Sequence, residues 1–327
     1  MIISRTPYRL SFVGGGTDYP AWYRKHGGAV LATTIDKYCY LTCRYLPPFF
    51  EHRYRIVWSK IERVKAQVEI SHPVLPKALE YMGIEEGLEL HHDGDLPARS
   101  GMGSSSSFVV GLLHVLNALK GKMISKEELL EQSLHLEQDL LKENVGSQDQ
   151  TLAVYGGLNR ISFKQTGQIL VEPLTIPEER IEELNGHLML FFSGTYRRAS
   201  DIVNTYVGRL EDREQDMNSL REMVNEGVSI LCEGEDIRAF GHLLHKAWML
   251  KRSLSESISN SLCDQIYETA LQAGALGGKM LGAGGGGFML FFVPIEVREA
   301  VRKALSNLIY VPFKFESLGS QIIHYSV

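Results

Sequence analysis

The stretch Leu96-Pro-Ala-Arg-Ser-Gly-Met-Gly-Ser-Ser-Ser-Ser-Phe108 joins two glycines to four consecutive serines and runs straight into an apolar segment, residues 108–119. The first N–H groups of a helix have no intrahelical acceptor, so a helix opening here forms a cradle for an anion. Gly101 and Gly103 lack a Cβ and let the backbone approach a ligand closely. The serines can cap the helix and offer hydroxyls to a phosphate or its metal. The chemistry this pattern suits is the binding of a nucleoside triphosphate. An ordinary Gly-Ser loop capping a core helix has the same composition.

Two other phosphate patterns are excluded. The Walker pattern is absent, because Gly278-Lys279 is followed by Met280 and position 273 is Ala. Gly282, Gly284 and Gly287 satisfy G-x-G-x-x-G by spacing. Residues 288–293 after them are a short apolar run ended by Pro294 and read as a strand, where a dinucleotide fingerprint needs a helix.

Three carboxylates stand where chemistry could use them. Glu137 falls among Leu130, Leu134 and Leu141 on one stripe of a helix that opens with the capping box Ser125-Lys-Glu-Glu128. A carboxylate buried there needs a cation or strong donors. A buried Arg or Lys would serve, as would a stripe that surfaces at this turn. A magnesium ion beside the serine-rich loop would serve too, since it takes oxygen ligands and keeps several waters. Asp149 lies in Val145-Gly-Ser-Gln-Asp-Gln150, a turn that can aim a carboxylate into a cleft or simply form the turn. Asp18 ends Arg5-Thr-Pro-Tyr-Arg-Leu-Ser-Phe-Val-Gly-Gly-Gly-Thr-Asp18, an alternating strand that carries Arg9 into three glycines. It could accept two sugar hydroxyls, or form the Asx bond of a glycine turn.

The elements that must position these residues fall into two rhythms. The first ninety-odd residues are strand-rich, with strands expected at 38–45, 54–58 and 88–92 and a helix at 72–82. Two long helices follow the serine loop and end near residue 146, and 158–163 and 169–172 read as a hairpin around Gly167. In the second half, a strand at 187–192 precedes two helical stretches from about 199 to 273. A strand at 288–293, a helix at 296–308 and closing strands at 312–325 complete it. That order suggests an antiparallel sheet with helices on one face, an α+β layer arrangement, with a domain boundary near residue 180.

Bulk properties limit the alternatives. The 327 residues suffice for two domains, and 44% hydrophobic and 22% charged residues are ordinary for a soluble globular chain. A net charge of −5 argues against nucleic-acid or polybasic membrane partners. Cys39, Cys43, Cys232 and Cys263 lack Cys-x-x-Cys spacing and are expected to be reduced thiols. No apolar run reaches the length of a membrane span, and the N-terminus lacks a signal-peptide apolar region. A cytoplasmic protein is expected, with the oligomeric state open between monomer and homodimer.

With these pieces assembled, the chain resembles the GHMP kinases, the superfamily of galacto-, homoserine, mevalonate and phosphomevalonate kinases. Residues 5–18 are similar to its N-terminal sugar-kinase motif, 97–107 to P-x-x-x-G-L-G-S-S-A and 279–292 to its C-terminal glycine motif. The resemblance implies an α+β, two-domain GHMP kinase fold. A mixed N-terminal domain (1–180) would carry the atypical phosphate loop, and a ferredoxin-like C-terminal domain (181–327) would close the site. ATP is expected along Arg99, Ser100, Gly101, Met102, Gly103, Ser104, Ser105 and Ser106, with Mg2+ on Ser105 and Glu137. Because Ser106 stands where the motif has Ala, which serine meets the metal stays open. Asp149 matches the family's catalytic aspartate and Arg9 its basic partner. Gly15, Gly16, Thr17 and Asp18 match the sugar-binding turn, and Gly284, Gly285 and Gly286 would line the cleft. Within the superfamily, Gly14-Gly-Gly-Thr-Asp18 and Gly146-Ser-Gln-Asp-Gln150 are most similar to the bacterial heptose 7-phosphate kinases. That likeness implies a phosphosugar substrate phosphorylated on its anomeric hydroxyl. A basic pocket would then be needed, for which Lys60, Arg197, Arg198, Lys251, Arg252 and Lys279 are candidates. A kinase for a free sugar, or a sensor that binds sugar and ATP without turnover, are the competing expectations.

Overall fold

The structure is a computed structural model that describes residues 1–195, 207–234 and 236–326. The N-terminal strand β1 (Ile2–Val13) is followed by helix α1 (Pro20–His26), where Pro20 supplies the first helical position. An 18-residue strand, β2 (Gly28–Tyr45), then organises the larger sheet. It pairs antiparallel with β1 along its length. Beyond it come β3 (Tyr54–Val57), β4 (Ile61–Val64), α2 (Leu75–Met82) and β5 (Leu88–Gly94), with β3 and β5 parallel. The second half of β2 pairs with β5. Its first half pairs with β6 (Asn159–Phe163), whose hairpin partner is β7 (Ile169–Pro173). Gly167 turns that hairpin with φ +92°, as expected for a residue free of a Cβ.

Between β5 and β6 lie α3 (Ser104–Leu119), α4 (Lys126–Leu134) and α5 (Gln148–Tyr155). Helix α3 is buried almost throughout and packs on β1 and β2. Its Gly111 allows the close approach: a Cβ there would stand 2.9 Å from Thr6 Oγ1, and the Gly111 carbonyl accepts from Ser4 Oγ at 3.1 Å. The capping box at Ser125 forms as expected. The helix it opens does not stay α-helical. From His135 to Leu140 it widens into a π-turn, with Leu141 N–H bonded to the Leu136 carbonyl.

The second half follows with α6 (Glu178–His187), β8 (Leu188–Phe192), α7 (Glu214–Cys232), α8 (Arg238–Ser253) and α9 (Ser261–Gln272). Strands β9 (Gly277–Met280) and β10 (Phe288–Phe292), helix α10 (Arg298–Ala304) and β11 (Ile309–Val311) complete an antiparallel sheet ordered β11-β8-β10-β9. The all-apolar β8 and β10 are buried at its centre. Three helices, not two, fill residues 214–272, and β9 was hidden by its glycine-rich sequence. The closing strands β12 (Phe315–Glu316) and β13 (Gln321–Tyr325) return to the larger sheet, on β2 and on the free edge of β1. Helix α7 also crosses onto that sheet, where Val224 packs on Gly14 and Gly227 on Leu31. Both halves therefore share one core, and the glycine turn after β1 lies under a helix from the second.

Candidate active site

The serine-rich loop has the geometry its sequence suggests, with one difference. Gly103 (φ +74°), not a serine, occupies the N-cap of α3, and no side chain caps the helix. The serines fall inside its first turn: Ser104 Oγ accepts from Arg99 N–H at 3.3 Å and Ser107 Oγ donates to the Pro7 carbonyl at 3.0 Å. The helix's leading N–H groups are thus left to an anion. Arg99 itself is exposed with φ 60°, Ser100 Oγ donates back to the Pro97 carbonyl, and Met102 is fully buried as the loop's anchor.

Arg9 and Asp149 meet beside this loop. Arg9 Nε and Nη2 each donate at 2.7 Å to a different oxygen of Asp149, a bidentate fork, and Nη1 donates to the Gly101 carbonyl at 2.6 Å. Arg9 comes from buried β1 and Asp149 from the first turn of α5, so two rigid elements fix the pair. Asp149 Oδ2 is 3.3 Å from where a Cβ on Gly103 would stand. The carboxylate therefore lies at the mouth of the anion cradle and keeps partial access to solvent.

Glu137 is buried on the π-turn, a local widening often found at functional sites. Its carboxylate accepts from Ser106 Oγ at 3.0 and 3.2 Å and from the Gln150 amide. Which serine faces Glu137 was left open by the sequence, and it is Ser106 that bonds the carboxylate. Ser105 points outward and is exposed, because residue 106 is the one that the helical turn directs inward at Glu137. Burial pushes Glu137 up to about 7 against those donors, and the nearby charges of Asp149 and Glu143 push the same way. Among the described residues no Arg, Lys or His pairs with it. A buried carboxylate facing a hydroxyl, without a cation, is a donor set that fits a hard metal ion completed by water and phosphate oxygens.

The glycine turn divides its labour. Thr17 Oγ1 donates to the Gly14 and Ala29 carbonyls and accepts from Ala29 N–H, so its hydroxyl is spent on closing the turn. Asp18 is buried, with Oδ1 accepting from Gly16 N–H at 2.9 Å and Oδ2 from Gln148 N–H at 3.4 Å. Burial raises its carboxyl above the usual range, partly offset by the Gly16 bond. Gly15 and Gly16 pass beside Ser11, Gln148 and Met217. A Cβ on Gly146 would stand 1.9 Å from Asp18 Oδ2. Gly146→Ala is therefore expected to displace Asp18, raising the sugar KM by about tenfold or more while nucleotide affinity stays within about twofold. Steady-state kinetics with each substrate varied in turn checks this, and equal losses for both would place the defect in folding.

The glycine loop between β9 and β10 packs on the serine-rich loop. A Cβ on Gly282 would lie 2.6 Å from Gly101 Cα, one on Gly287 would lie 2.2 Å from the Ser100 carbonyl, and Phe288 N–H bonds that carbonyl at 3.1 Å. Gly284, Gly285 and Gly286 are buried against Ile258 and Thr195, with Gly285 N–H donating to the Ile258 carbonyl. The backbone is closely packed at these positions. Lys279 is buried and donates to the Phe12 carbonyl at 2.8 Å. Arg197 and Arg198 lie outside the described residues. Lys60 sits over the Trp58 ring, and Arg252 pairs with Asp264.

Sequence reasoning missed three parts of this site: the supporting amide of Gln150, the two unpartnered polar atoms Ser11 Oγ and Gln148 Oε1, and an aromatic group beside α3. In that group His72 stacks on Phe108 and meets Trp58 edge-on, and burial holds His72 down to about 4, hence neutral. Only the near-match of Gln148 and Gln150 around Asp149 could have pointed to any of them.

Comparison with known proteins shows the family. The model described as GHMP kinases N terminal domain matches residues 70–157, and that described as GHMP kinases C terminal matches residues 228–309. Together they span just over half of the chain. The chain is 28% identical over 332 residues to the D-glycero-alpha-D-manno-heptose 7-phosphate kinase of Campylobacter jejuni, covering 93% of each. It is 30% identical to the bifunctional fucokinase/GDP-fucose pyrophosphorylase of Arabidopsis thaliana, covering 92% of this chain but 31% of that one. Among solved structures, a D-glycero-D-manno-heptose 1-phosphate kinase from Bacteroides thetaiotaomicron shares the fold with a TM-score of 0.82 at 24% identity, over 100% of both chains. No helix among the described residues is long and apolar enough to cross a membrane. An uncapped helix behind a glycine loop, a bidentate Arg–Asp pair at its mouth and these matches along the chain have one common reading: the chain belongs to the GHMP kinases and is a sugar kinase of that family.

Proposed function

We propose that the chain transfers the terminal phosphoryl group of ATP to the anomeric hydroxyl of D-glycero-D-manno-heptose 7-phosphate, giving the 1,7-bisphosphate. The observation that carries this is the Arg9–Asp149 pair at the mouth of the serine-rich loop, with Asp18 behind it, in a chain similar end to end to a heptose 7-phosphate kinase. The nucleotide phosphates lie on the leading N–H groups of α3 and the backbone from Arg99 to Ser106. Its base has an apolar partner in the Trp58–His72 face beside Phe108. Residues 1–180 carry this nucleotide site, and residues 181–327 bring the glycine loop against it.

Most of the catalytic work is positioning and charge. Asp149 Oδ accepts the proton of the sugar hydroxyl as the new O–P bond forms, and the anomeric hydroxyl is acidic enough for a carboxylate to suffice. Arg9 holds Asp149 in one orientation through its two hydrogen bonds. Asp18 accepts hydroxyls that fix the sugar's face, and the glycines at 14–16 let the ring come close. Magnesium, held by Glu137 and Ser106, would supply charge neutralisation on the β- and γ-phosphates.

The test is ATP-dependent phosphorylation of the heptose 7-phosphate beside free mannose, fucose and galactose, with magnesium present. Preference for the phosphosugar is the expected result. Preference for a free sugar, as the similarity to a fucokinase would favour, keeps Asp149 and the loop but discards the substrate. Nucleotide binding without turnover on any of them would overturn the reading in favour of a sensor.

A further inference from the structure

Two lysines lie buried behind the Arg9–Asp149 pair, and neither contacts a carboxylate. Lys251, in the last turn of α8, donates from Nζ to the Gly282 carbonyl at 2.8 Å, and Lys279, on β9, to the Phe12 carbonyl at 2.8 Å. They are 8% and 4% exposed. An ammonium carries three donors, and taking one out of water without an anion is costly. The negative end of α8 eases this for Lys251 without neutralising it. The charges that act on Lys251 are those of Asp18, Arg9 and Asp149, and those acting on Lys279 are Lys251, Arg9 and Asp18. Asp149 is already committed to Arg9. Burial, with the charges of Lys251 and Arg9, pushes the Lys279 ammonium well below the usual lysine range, which leaves Arg9 and Lys251 as the cations set against Asp18 and Asp149.

The position of Lys251 is defined by contacts. Gly282, whose carbonyl holds Lys251, lies against Gly101, and the Gly101 carbonyl holds Arg9. Lys251, Gly282, Gly101 and Arg9 form an unbroken line along the inner side of the serine-rich loop. We propose that Lys251 is the cation which the second half of the chain contributes to the phosphoryl group in transit, with Lys279 as a positioning residue that keeps it directed there. This inference rests on the kinase reading. In the step, the bond from phosphorus to the bridging oxygen breaks and that oxygen leaves with ADP. The sugar oxygen bonds to phosphorus and its proton passes to Asp149. Lys251 gives up no proton, and its charge offsets the phosphoryl oxygens on both sides of the transfer.

This arrangement carries a pH dependence. Burial pushes the Lys251 ammonium down to about 8, with Asp18 and Asp149 drawing it up and Arg9 down. The charged groups facing it are Arg9 from β1, Asp18 from the glycine turn, Asp149 from α5 and Lys279 from β9. On its own helix, Arg252 is turned to Asp264.

The experiment measures kcat and kcat/KM for Mg-ATP from about pH 6.5 to about pH 9.5 for wild type, Lys251→Arg and Lys251→Gln. It also measures the affinity of each full-length protein for ADP and for a non-hydrolysable ATP analogue. Wild-type kcat/KM for Mg-ATP should fall with a midpoint near pH 8, and the limb in kcat should lie at higher pH because the bound phosphates favour the ammonium. Lys251→Arg should remove that limb while keeping turnover within about tenfold, because a guanidinium does not deprotonate in this range. Lys251→Gln should lower kcat by roughly a hundredfold and weaken the analogue by about tenfold while ADP binding is unchanged, since ADP lacks the phosphoryl group concerned. An alkaline limb that persists in Lys251→Arg overturns the proposal. So does equal weakening of ADP and the analogue, which marks a structural role, or a rise confined to the phosphosugar KM, which assigns the cation to the sugar's own phosphate. If wild type phosphorylates no sugar, the kinase reading fails by itself, and the preference for analogue over ADP still decides whether Lys251 meets a terminal phosphoryl group.

Discussion

Asp149→Asn is expected to lower kcat by roughly a thousandfold or more, with nucleotide affinity changed by less than about threefold. The substitution keeps the shape of the side chain and removes its ability to take a proton. It also breaks the symmetry of the fork with Arg9: an amide offers one acceptor oxygen, so one of the two 2.7 Å bonds is lost and its guanidinium N–H faces an amide NH2. Arg9 is buried and retains its bond to the Gly101 carbonyl, so the loop keeps its anchor and the nucleotide its cradle. The loss should therefore fall on kcat and not on ATP binding. Arg9→Met should behave differently, because it removes the support of Gly101 together with the partner of Asp149, and both kcat and nucleotide affinity should suffer. Single-turnover rates with calorimetric nucleotide binding separate the two variants. Turnover by Asp149→Asn within about tenfold of wild type would remove Asp149 from the chemistry.

What the sequence made legible follows from local physics. The start of the helix after residue 103 was readable because glycines and serines before an apolar run mark a helix opening. The hairpin at Gly167 and the capping box at Ser125 were readable because each is decided within a few residues. Features decided by distant neighbours were not. That Ser106, not Ser105, meets Glu137 depends on the phase of α3 and on a π-turn that no periodicity announces. Strand β9 is Gly-Gly-Lys-Met, which has no strand propensity and exists because β10 lies beside it. Ile258 and Thr195, which pack on Gly284 and Gly286, come from elsewhere in the chain, so that packing could not be read from the loop itself. Lys251 was one of six candidates for a basic pocket, and nothing in its neighbourhood of the sequence showed that the fold would bury it.

Glu137→Gln is expected to stabilise the metal-free protein at alkaline pH while disabling the kinase. The folded Glu137 carboxyl titrates at about 7, above its ordinary 4.5, so the folded state holds that proton more tightly than the unfolded chain. Its stabilising contribution is complete below pH 4.5 and is lost as pH rises to about 7, after which the ionised, unpaired carboxylate remains as a fixed cost. Metal-free wild type should thus lose on the order of 3 kcal/mol of stability between acid and alkaline conditions from this group, and the variant should lose none of it. Glutamine can keep the contact with Ser106. Gln150, whose Oε1 is buried without a partner, can turn its amide to accept from the new NH2, so packing survives. With magnesium and ATP the ranking should reverse. Wild type gains because the metal replaces the missing cation and restores the ionised carboxylate to a paired state. The variant has no such gain, and its kcat/KM for Mg-ATP should fall by about a hundredfold, with half-saturation shifted to higher magnesium. Denaturant unfolding against pH without metal, repeated with magnesium and a non-hydrolysable nucleotide, measures both halves. A variant whose pH profile parallels wild type, or whose magnesium requirement is unchanged, would show that Glu137 is held by the fold for some purpose other than the metal.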